Sequence, residues 1–352
     1  MNPGIVEEIK KELIRARDGY IKQIGREYEL KEKHPVFYDA AKEFLGRPGK
    51  MVRPVIFALS YMLYSGNPPG RDLYRSALGF ELLHNCAVIH DDIIDNSEKR
   101  RGGPAMHRLL KNSGKGNSGK RGEELAIVAG DILYALGIKL FMEINSVPAR
   151  KEKALDKVLD TAVKTGLGEF EEMLLDKADI RDIKKKDILR VYDYKSACYT
   201  VSGPLQTGAI LGGASKRQVG NLGSLGNCIG RAFQIKDDIL DLYESGKSRE
   251  RFEDIRKKRK TILMFYAYMN ASPGEREEIE GFLSKKAPGG SEVERISRIF
   301  RETGSVEAAA LDIRSSLTEA EKLIEGLSIG KGGKRLLGGY SLELVSLKGL
   351  SL

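Results

Sequence analysis

The chain has 352 residues, 41% hydrophobic and 31% charged, with a formal net charge of +9. This balance describes a soluble globular protein with a substantial core, and no apolar run reaches the length of a membrane span. The positive excess suits an anionic partner, whether nucleic acid, an anionic membrane surface or phosphate-rich small molecules, and composition does not choose among them.

The N-terminal MNPGIVEEIKKELIRARDGY is amphipathic and charged, lacks the apolar centre of a secretory signal, and points to a cytoplasmic protein. Ile5, Ile9, Leu13 and Ile14 recur at helical spacing, as do Leu155, Val158, Leu159, Ala162 and Val163. Breakers at GRPGK, YSGNPPGRD, RGGP, NSVPAR, KKAPGGSE and SIGKGGK separate about a dozen expected helices. No strand is convincing, so the expectation is one all-α domain over residues 1–352. Cys86, Cys198 and Cys228 are far apart within helical patterns and read as reduced thiols.

Along this frame, GKMVRP supplies Lys50 and Arg53 in a proline- and glycine-bounded turn. The segment from Phe80 to Ile94 is apolar nearly all round, which places it centrally, so charge within it needs a reason. Asp91 and Asp95 share a helix face with Asp92 beside them, and three such carboxylates repel one another unless a cation intervenes. His84 lies two turns before Asp91 on the same side and is expected to contact ligand. His90 abuts the cluster and reads as a core residue; a spacing of six matches no helical face, so the two do not form a metal-binding pair.

RRGGP adds Arg100 and Arg101 just beyond the cluster. The segment Lys111 to Glu124, KNSGKGNSGKRGEE, only resembles a phosphate loop: Arg121 stands where Ser or Thr is required and no strand precedes the glycines. A flexible basic insertion over 111–124 is the expectation. The runs IKKKD and KKRK read as solvated helix faces. From Leu225 to Leu242 a second apolar helix carries FQIKDDILDLY, with Asp237, Asp238 and Asp241 at the spacing of the first cluster.

Two matched carboxylate clusters without a nearby histidine or cysteine pair suit a hard ion such as Mg²⁺, which keeps waters and takes phosphate oxygens. The expected object is a diphosphate clamped between two facing helices. Lys50, Arg53, Arg100 and Arg101 then suit a second diphosphate that carries no metal, because arginine forks and lysine point charges bind phosphate directly.

GKMVRP, ELLHNCAVIHDDIID, RRGGPAMH, AGDILYA, YKSA and GRAFQIKDDILD, in this order over nearly the whole chain, resemble the trans-isoprenyl diphosphate synthases, the polyprenyl synthetase family that includes farnesyl and geranylgeranyl diphosphate synthases. The resemblance implies an isoprenoid synthase fold, a helical bundle around a deep central cavity, usually as a homodimer, with about three Mg²⁺ per active site. It implies Asp91, Asp95 and Asp237 as metal ligands, supported by Asp92, Asp238 and Asp241, and Arg100 and Lys195 at the allylic diphosphate. Lys50, Arg53, His84 and Arg101 match the pocket for isopentenyl diphosphate, and Ser196, Phe233 and Gln234 lie at the allylic site. The implied reaction condenses isopentenyl diphosphate with an allylic diphosphate, and contact with a membrane periphery would aid release of the apolar product.

Two departures stand out. Glu169 occupies the family's usual glutamine position in GEFEE, with Glu172 at the acidic one, and Lys258 and Arg259 occupy the usual Gly-Lys positions, so Arg259 is expected to replace the lysine. Before the first cluster, Cys86 and Ala87 are small where short-chain members place an aromatic ring, so a growing tail is expected to pass toward Leu83 and Phe80, with Leu133, Tyr134 and Leu136 as stops opposite. Geranylgeranyl diphosphate is the expected product, with a chain of twenty-five carbons or more as the alternative. A class I terpene cyclase lacks a second aspartate cluster, a non-catalytic regulatory subunit lacks intact clusters, and a nucleic-acid binder would interleave its cations with exposed aromatics.

Overall fold

The computed structural model describes residues 4–111, 119–243 and 251–346. It is all-α, as expected, and packs as two compact units: one is built from the chain up to Lys157 together with Pro204–Ala214, the other from Val158–Gly203 together with the chain from Ser215 onward.

The centre of the first unit is the crossing of helix Arg71–Ile94 with helix Gly119–Met142. They approach glycine to glycine: a Cβ added to Gly79 would stand 2.9 Å from the Gly137 carbonyl oxygen, and one on Gly137 3.1 Å from that of Gly79. Phe80 packs on Phe57 and Phe141 with ring centroids 5.4 and 4.9 Å apart, which pins the same crossing from its flank. Helix Val52–Ser65 lies close against Pro204–Gly212 because Gly208 and Gly212 leave room for the backbone at Phe57 and Tyr61.

Four sequence expectations change here. By composition and length, Arg121–Met142 could cross a membrane, contrary to the sequence reading; one face, with Ala126, Ala129, Leu133 and Leu140, is buried against the rest of the unit, while Ile127, Val128 and Ile132 are exposed. RRGGP forms a small antiparallel ribbon, Lys99–Arg100 with Gly103–Pro104, where no strand was expected. Its tip, Arg101 at φ 50 and Gly102 at φ 78, matches the two left-handed residues of a hairpin turn. Of the expected basic loop 111–124, residues 112–118 lie outside the described residues, and the helix already begins at Gly119. A Cβ on Gly122 would lie 2.4 Å from the His107 carbonyl oxygen, so only glycine lets the helix lie on Met106–Leu110. More helices appear than the dozen expected, because pieces as short as Leu30–Lys33 and Glu253–Arg256 carry no full period.

The second unit is organised around helix Lys216–Tyr243, which packs on Tyr192–Ser202 and Ser305–Glu325. Tyr192–Ser202 is a π-helix, a form that is rare and collects at functional sites. Three glycines let neighbours lie flush on it: a Cβ on Gly168 would stand 2.4 Å from the Lys195 nitrogen, one on Gly226 2.3 Å from the Ser202 Cα, and one on Gly230 2.3 Å from the Ala197 Cα. Ile235, Ile239, Leu263, Met264, Val293 and Ile299 form the core beneath. At the periphery, Ser272 and Glu275 close a capping box at the start of helix Pro273–Ser284.

Candidate active site

In the first unit the aspartates of HDDIID divide by role. Asp92 points inward with no exposed surface, and its Oδ1 accepts from Arg100 Nε at 2.9 Å and from Nη2 of the same guanidinium. Asp91 lies half-exposed, 3.7 Å from Arg100, and Asp95, also half-exposed, ends the helix with its N–H on the Asp91 carbonyl at 2.9 Å. Arg100 thus joins the buried and the accessible carboxylate. Its own carbonyl accepts from Arg47 Nη1 at 2.8 Å, and Arg47, nearly buried, is anchored by Glu43.

Arg101, at the ribbon tip, is aimed back onto helix Arg71–Ile94. Its Nη2 reaches Glu81 Oε1 at 3.0 Å and its Nη1 reaches Asn85 Oδ1 at 3.4 Å, both partners being buried. The GKMVRP turn lies alongside: a Cβ on Gly49 would stand 3.5 Å from the Arg101 guanidinium carbon. Lys50 follows on the exposed surface and Arg53 is half-buried. His84 reports this concentration of cations, because burial first, then Arg53, Arg101 and Arg100, hold its pKa well below the ordinary value and keep it neutral. A neutral imidazole among three guanidiniums can donate to an anion from one nitrogen without adding a charge that needs its own partner.

His90, expected in the core, keeps a third of its side chain exposed and lies 3.8 Å from Asp131. Its Nε2 faces the Ile127 carbonyl at 3.2 Å and its Nδ1 faces Cys86 Sγ at 3.9 Å, while Gly130 makes room for the ring. Cys86 is buried on this side, and burial with the charge of Asp131 pushes its thiol up to about 11. Leu83 is likewise buried, its Cγ 3.2 Å from where a Cβ on Gly137 would be. Leu83 packs against helix Gly119–Met142 and Cys86 is buried beside His90, while Ala87 is half-buried. Of the stops expected opposite, Leu133 and Leu136 are buried and Tyr134 is exposed.

In the second unit Asp238 is buried at the end of a relay. Ser196 Oγ donates to Gln234 Oε1 at 2.5 Å, Gln234 Nε2 donates to Asp238 Oδ1 at 2.9 Å, and the Tyr192 hydroxyl donates to Asp238 Oδ2 while accepting from the Ile262 N–H at 2.9 Å. Burial, then the charge of Asp254, raises the Asp238 pKa well above the carboxylate range against the pull of these hydrogen bonds. Asp241, also buried, caps a helix from a distance: its Oδ1 and Oδ2 accept from the N–H groups of Glu253 and Asp254, each at 3.1 Å. Asp237 is left half-exposed, the counterpart of Asp91, and Phe233 packs partly buried on the core.

Lys195 Nζ sits between two carboxylates, Glu169 Oε2 at 2.7 Å and Glu172 Oε2 at 2.6 Å. The same Glu172 oxygen accepts from Arg259 Nη1 at 2.8 Å, which also reaches Asp176 Oδ2 at 2.7 Å. Arg259 is therefore engaged with helix Pro148–Leu175. Lys258 adopts φ 58, the left-handed conformation that a glycine takes at less cost, so this departure from the family keeps the backbone shape and not the residue.

Residues 34–301 match the family model described as polyprenyl synthetase. The chain belongs to the polyprenyl synthetase family. This synthetase is 32% identical to a short chain isoprenyl diphosphate synthase of Methanothermobacter thermautotrophicus, over 81% of this chain and 84% of that one. It is 29% identical to a geranylfarnesyl diphosphate synthase of Natronomonas pharaonis, over 81% of this chain and 83% of that one. Its fold matches the crystal structure of a geranylgeranyl pyrophosphate synthase from Corynebacterium glutamicum complexed with isoprenyl diphosphate and magnesium, with a TM-score of 0.86 at 22% identity, covering 98% of this chain and 99% of that one.

The donor set of this synthetase suits Mg²⁺. Asp91, Asp95 and Asp237 are half-exposed carboxylate residues, and among the described residues no three His, Cys, Asp or Glu side chains already form a closed cage. An ion that retains waters and takes diphosphate oxygens needs only one or two protein carboxylates at a time. The sequence reading did not name Arg47, Glu81, Asn85, Tyr192 or Asp176, the residues that hold Arg100, Arg101, Asp238 and Arg259. Glu81 alone left a signal, as a charge inside the apolar helix that begins at Phe80.

Proposed function

We propose that this synthetase is a Mg²⁺-dependent trans-prenyltransferase that adds isopentenyl diphosphate to an allylic diphosphate and releases geranylgeranyl diphosphate. The observation that carries the reading is the division within each carboxylate cluster. In each cluster the buried aspartates are held by the protein, Asp92 by Arg100, Asp238 by Tyr192 and Gln234, and Asp241 by the N–H groups of Glu253 and Asp254, while Asp91, Asp95 and Asp237 are half-exposed.

Asp91, Asp95 and Asp237 would hold the metal, about three ions per active site, and bound Mg²⁺ would neutralise the diphosphate as it leaves. Arg100 and Lys195 add fixed positive charge for the allylic diphosphate, whose carbon–oxygen bond breaks to give an allylic cation. Lys50, Arg53 and Arg101 bind the diphosphate of isopentenyl diphosphate, and neutral His84 can donate a hydrogen bond to it. The double bond of isopentenyl diphosphate attacks the cation, and the proton then lost goes to the released diphosphate.

The product reading rests on family likeness and on Ala87, small and half-buried one turn before Asp91. A chain of twenty-five carbons or more is the second reading, favoured by the likeness to a geranylfarnesyl diphosphate synthase. A cytoplasmic homodimer completes the proposal. Free cysteines fit the compartment. Helix Gly119–Met142 exposes Ile127, Val128 and Ile132, and an apolar cavity of about 800 Å³ bordered by Val128 and Ile132 opens beside them, a surface suited to a second copy. Release of the apolar product at a membrane periphery belongs to the same proposal.

Asp91→Ala and Asp237→Ala test the metal assignment: each is expected to lower turnover at least a hundred-fold at saturating Mg²⁺ while the melting temperature stays near that of the parent. Near-normal turnover in either variant contradicts it.

A further inference from the structure

Lys195 is held by more negative charge than a single ion pair requires. Its ammonium contacts Glu169 at 2.7 Å and Glu172 at 2.6 Å, and all three side chains are only about a quarter exposed. Glu172 also faces Arg259, but Arg259 is shared with Asp176, which is largely buried and accepts the Lys260 N–H at 3.1 Å. Burial lowers the Lys260 pKa and raises that of Asp176, so neither adds spare positive charge. With the three carboxylates ionised and Lys195, Arg259 and Lys260 protonated, the group carries no net charge. A neutral glutamine in place of Glu169 would leave it with one positive charge more, at Lys195.

We propose that Glu169 is a specificity-determining residue that clamps Lys195 together with Glu172 and competes with the substrate's diphosphate for the lysine ammonium. The inference rests on the proposed role of Lys195 at the allylic diphosphate. The Lys195 ammonium already serves two carboxylates, so an arriving diphosphate meets both like charges or displaces one of them. Each route weakens ground-state binding of the allylic substrate. Glu169 lies beside the cation it opposes, which confines its effect to whichever substrate Lys195 meets. The clamp also holds Lys195 in place before substrate arrives, while favouring faster release of a diphosphate product than the same site with a neutral side chain.

The test compares Glu169→Gln with the parent enzyme under Mg²⁺, varying farnesyl diphosphate and isopentenyl diphosphate separately. The clamp predicts that KM for farnesyl diphosphate falls about three-fold, the scale of a partly exposed ion pair, with kcat within two-fold and KM for isopentenyl diphosphate unchanged. Glu169→Ala should shift the same constant the same way. In a Lys195→Ala background, direct calorimetric binding of farnesyl diphosphate should no longer respond to Glu169→Gln, because the two residues act through one contact. A higher Mg²⁺ requirement in Glu169→Gln would make Glu169 a metal ligand and overturn the clamp, as would equal shifts for both substrates or an undiminished effect without Lys195. If the parent enzyme consumes neither substrate, the reading of function fails, and with it the premise about Lys195.

Discussion

Arg100 Nε donates to Asp92 Oδ1 at 2.9 Å, a pair eight positions apart that ties the last turn of helix Arg71–Ile94 to the ribbon. This bond converts one member of an aspartate cluster into a structural anchor and places a guanidinium beside Asp91. Carboxylates adjacent in sequence should therefore respond to mutation in opposite ways.

Asp92→Ala is expected to lose about 1–3 kcal/mol of stability, because it strands part of the Arg100 guanidinium and opens a fully buried position. Asp91→Ala should change stability by no more than about 0.5 kcal/mol while abolishing turnover. Denaturant unfolding of the two variants separates these outcomes, and equal stability losses would mean that Asp92 is no anchor.

Arg101 owes its direction to Glu81 and Asn85, so a buried acid is expected to affect a substrate it does not touch. Glu81→Gln should raise KM for isopentenyl diphosphate several-fold, and Arg53→Ala, which removes a charged donor, about ten-fold or more. KM for the allylic substrate should change less in both. Steady-state kinetics with each substrate varied in turn checks the pattern, and equal rises in both constants would place these cations wrongly.

His107 is buried, and its pKa is lowered by burial first and then by Arg108, against the opposing pull of Glu123 and Glu98. Its folded-state value lies below the unfolded one, so the unfolded chain binds the extra proton more readily. Stability is then full above the unfolded value of about 6.5 and is lost as pH falls below it. Melting temperatures from pH 7.5 to 5 should decline, and His107→Gln should flatten part of that decline. A wild-type curve without a decline in this window would contradict the assignment.

The sequence made the helices legible because their apolar period is local, and it exposed the clusters because charge in an apolar helix is costly wherever the helix ends up. It could not show that Tyr192 would find Asp238 46 residues away, or Glu81 find Arg101 20 residues away, since such pairs exist only after packing. Helical spacing places Cys86 and Leu83 near Asp91, but which face of their helix is covered depends on the glycines of helix Gly119–Met142. Lys258 shows the reverse case, in which a family glycine predicts backbone shape correctly although the residue has changed.

Ala87 and Cys86 should now differ when enlarged. Ala87→Phe is expected to shorten the product distribution while keeping activity, whereas Cys86→Phe overfills a buried contact and should cost about 1–3 kcal/mol of stability. Chromatography of dephosphorylated products, with thermal melts of both variants, checks the contrast. An unchanged distribution in active Ala87→Phe would show that the chain grows elsewhere.

The most direct measurement incubates the purified protein with Mg²⁺, labelled isopentenyl diphosphate and dimethylallyl, geranyl or farnesyl diphosphate in turn, then resolves the chain length of the labelled alcohols after phosphatase treatment. The account predicts condensation with at least one allylic primer, loss of product when Mg²⁺ is chelated, and a twenty-carbon main product. No condensation with any primer, or a fifteen-carbon main product that is not extended, would contradict it.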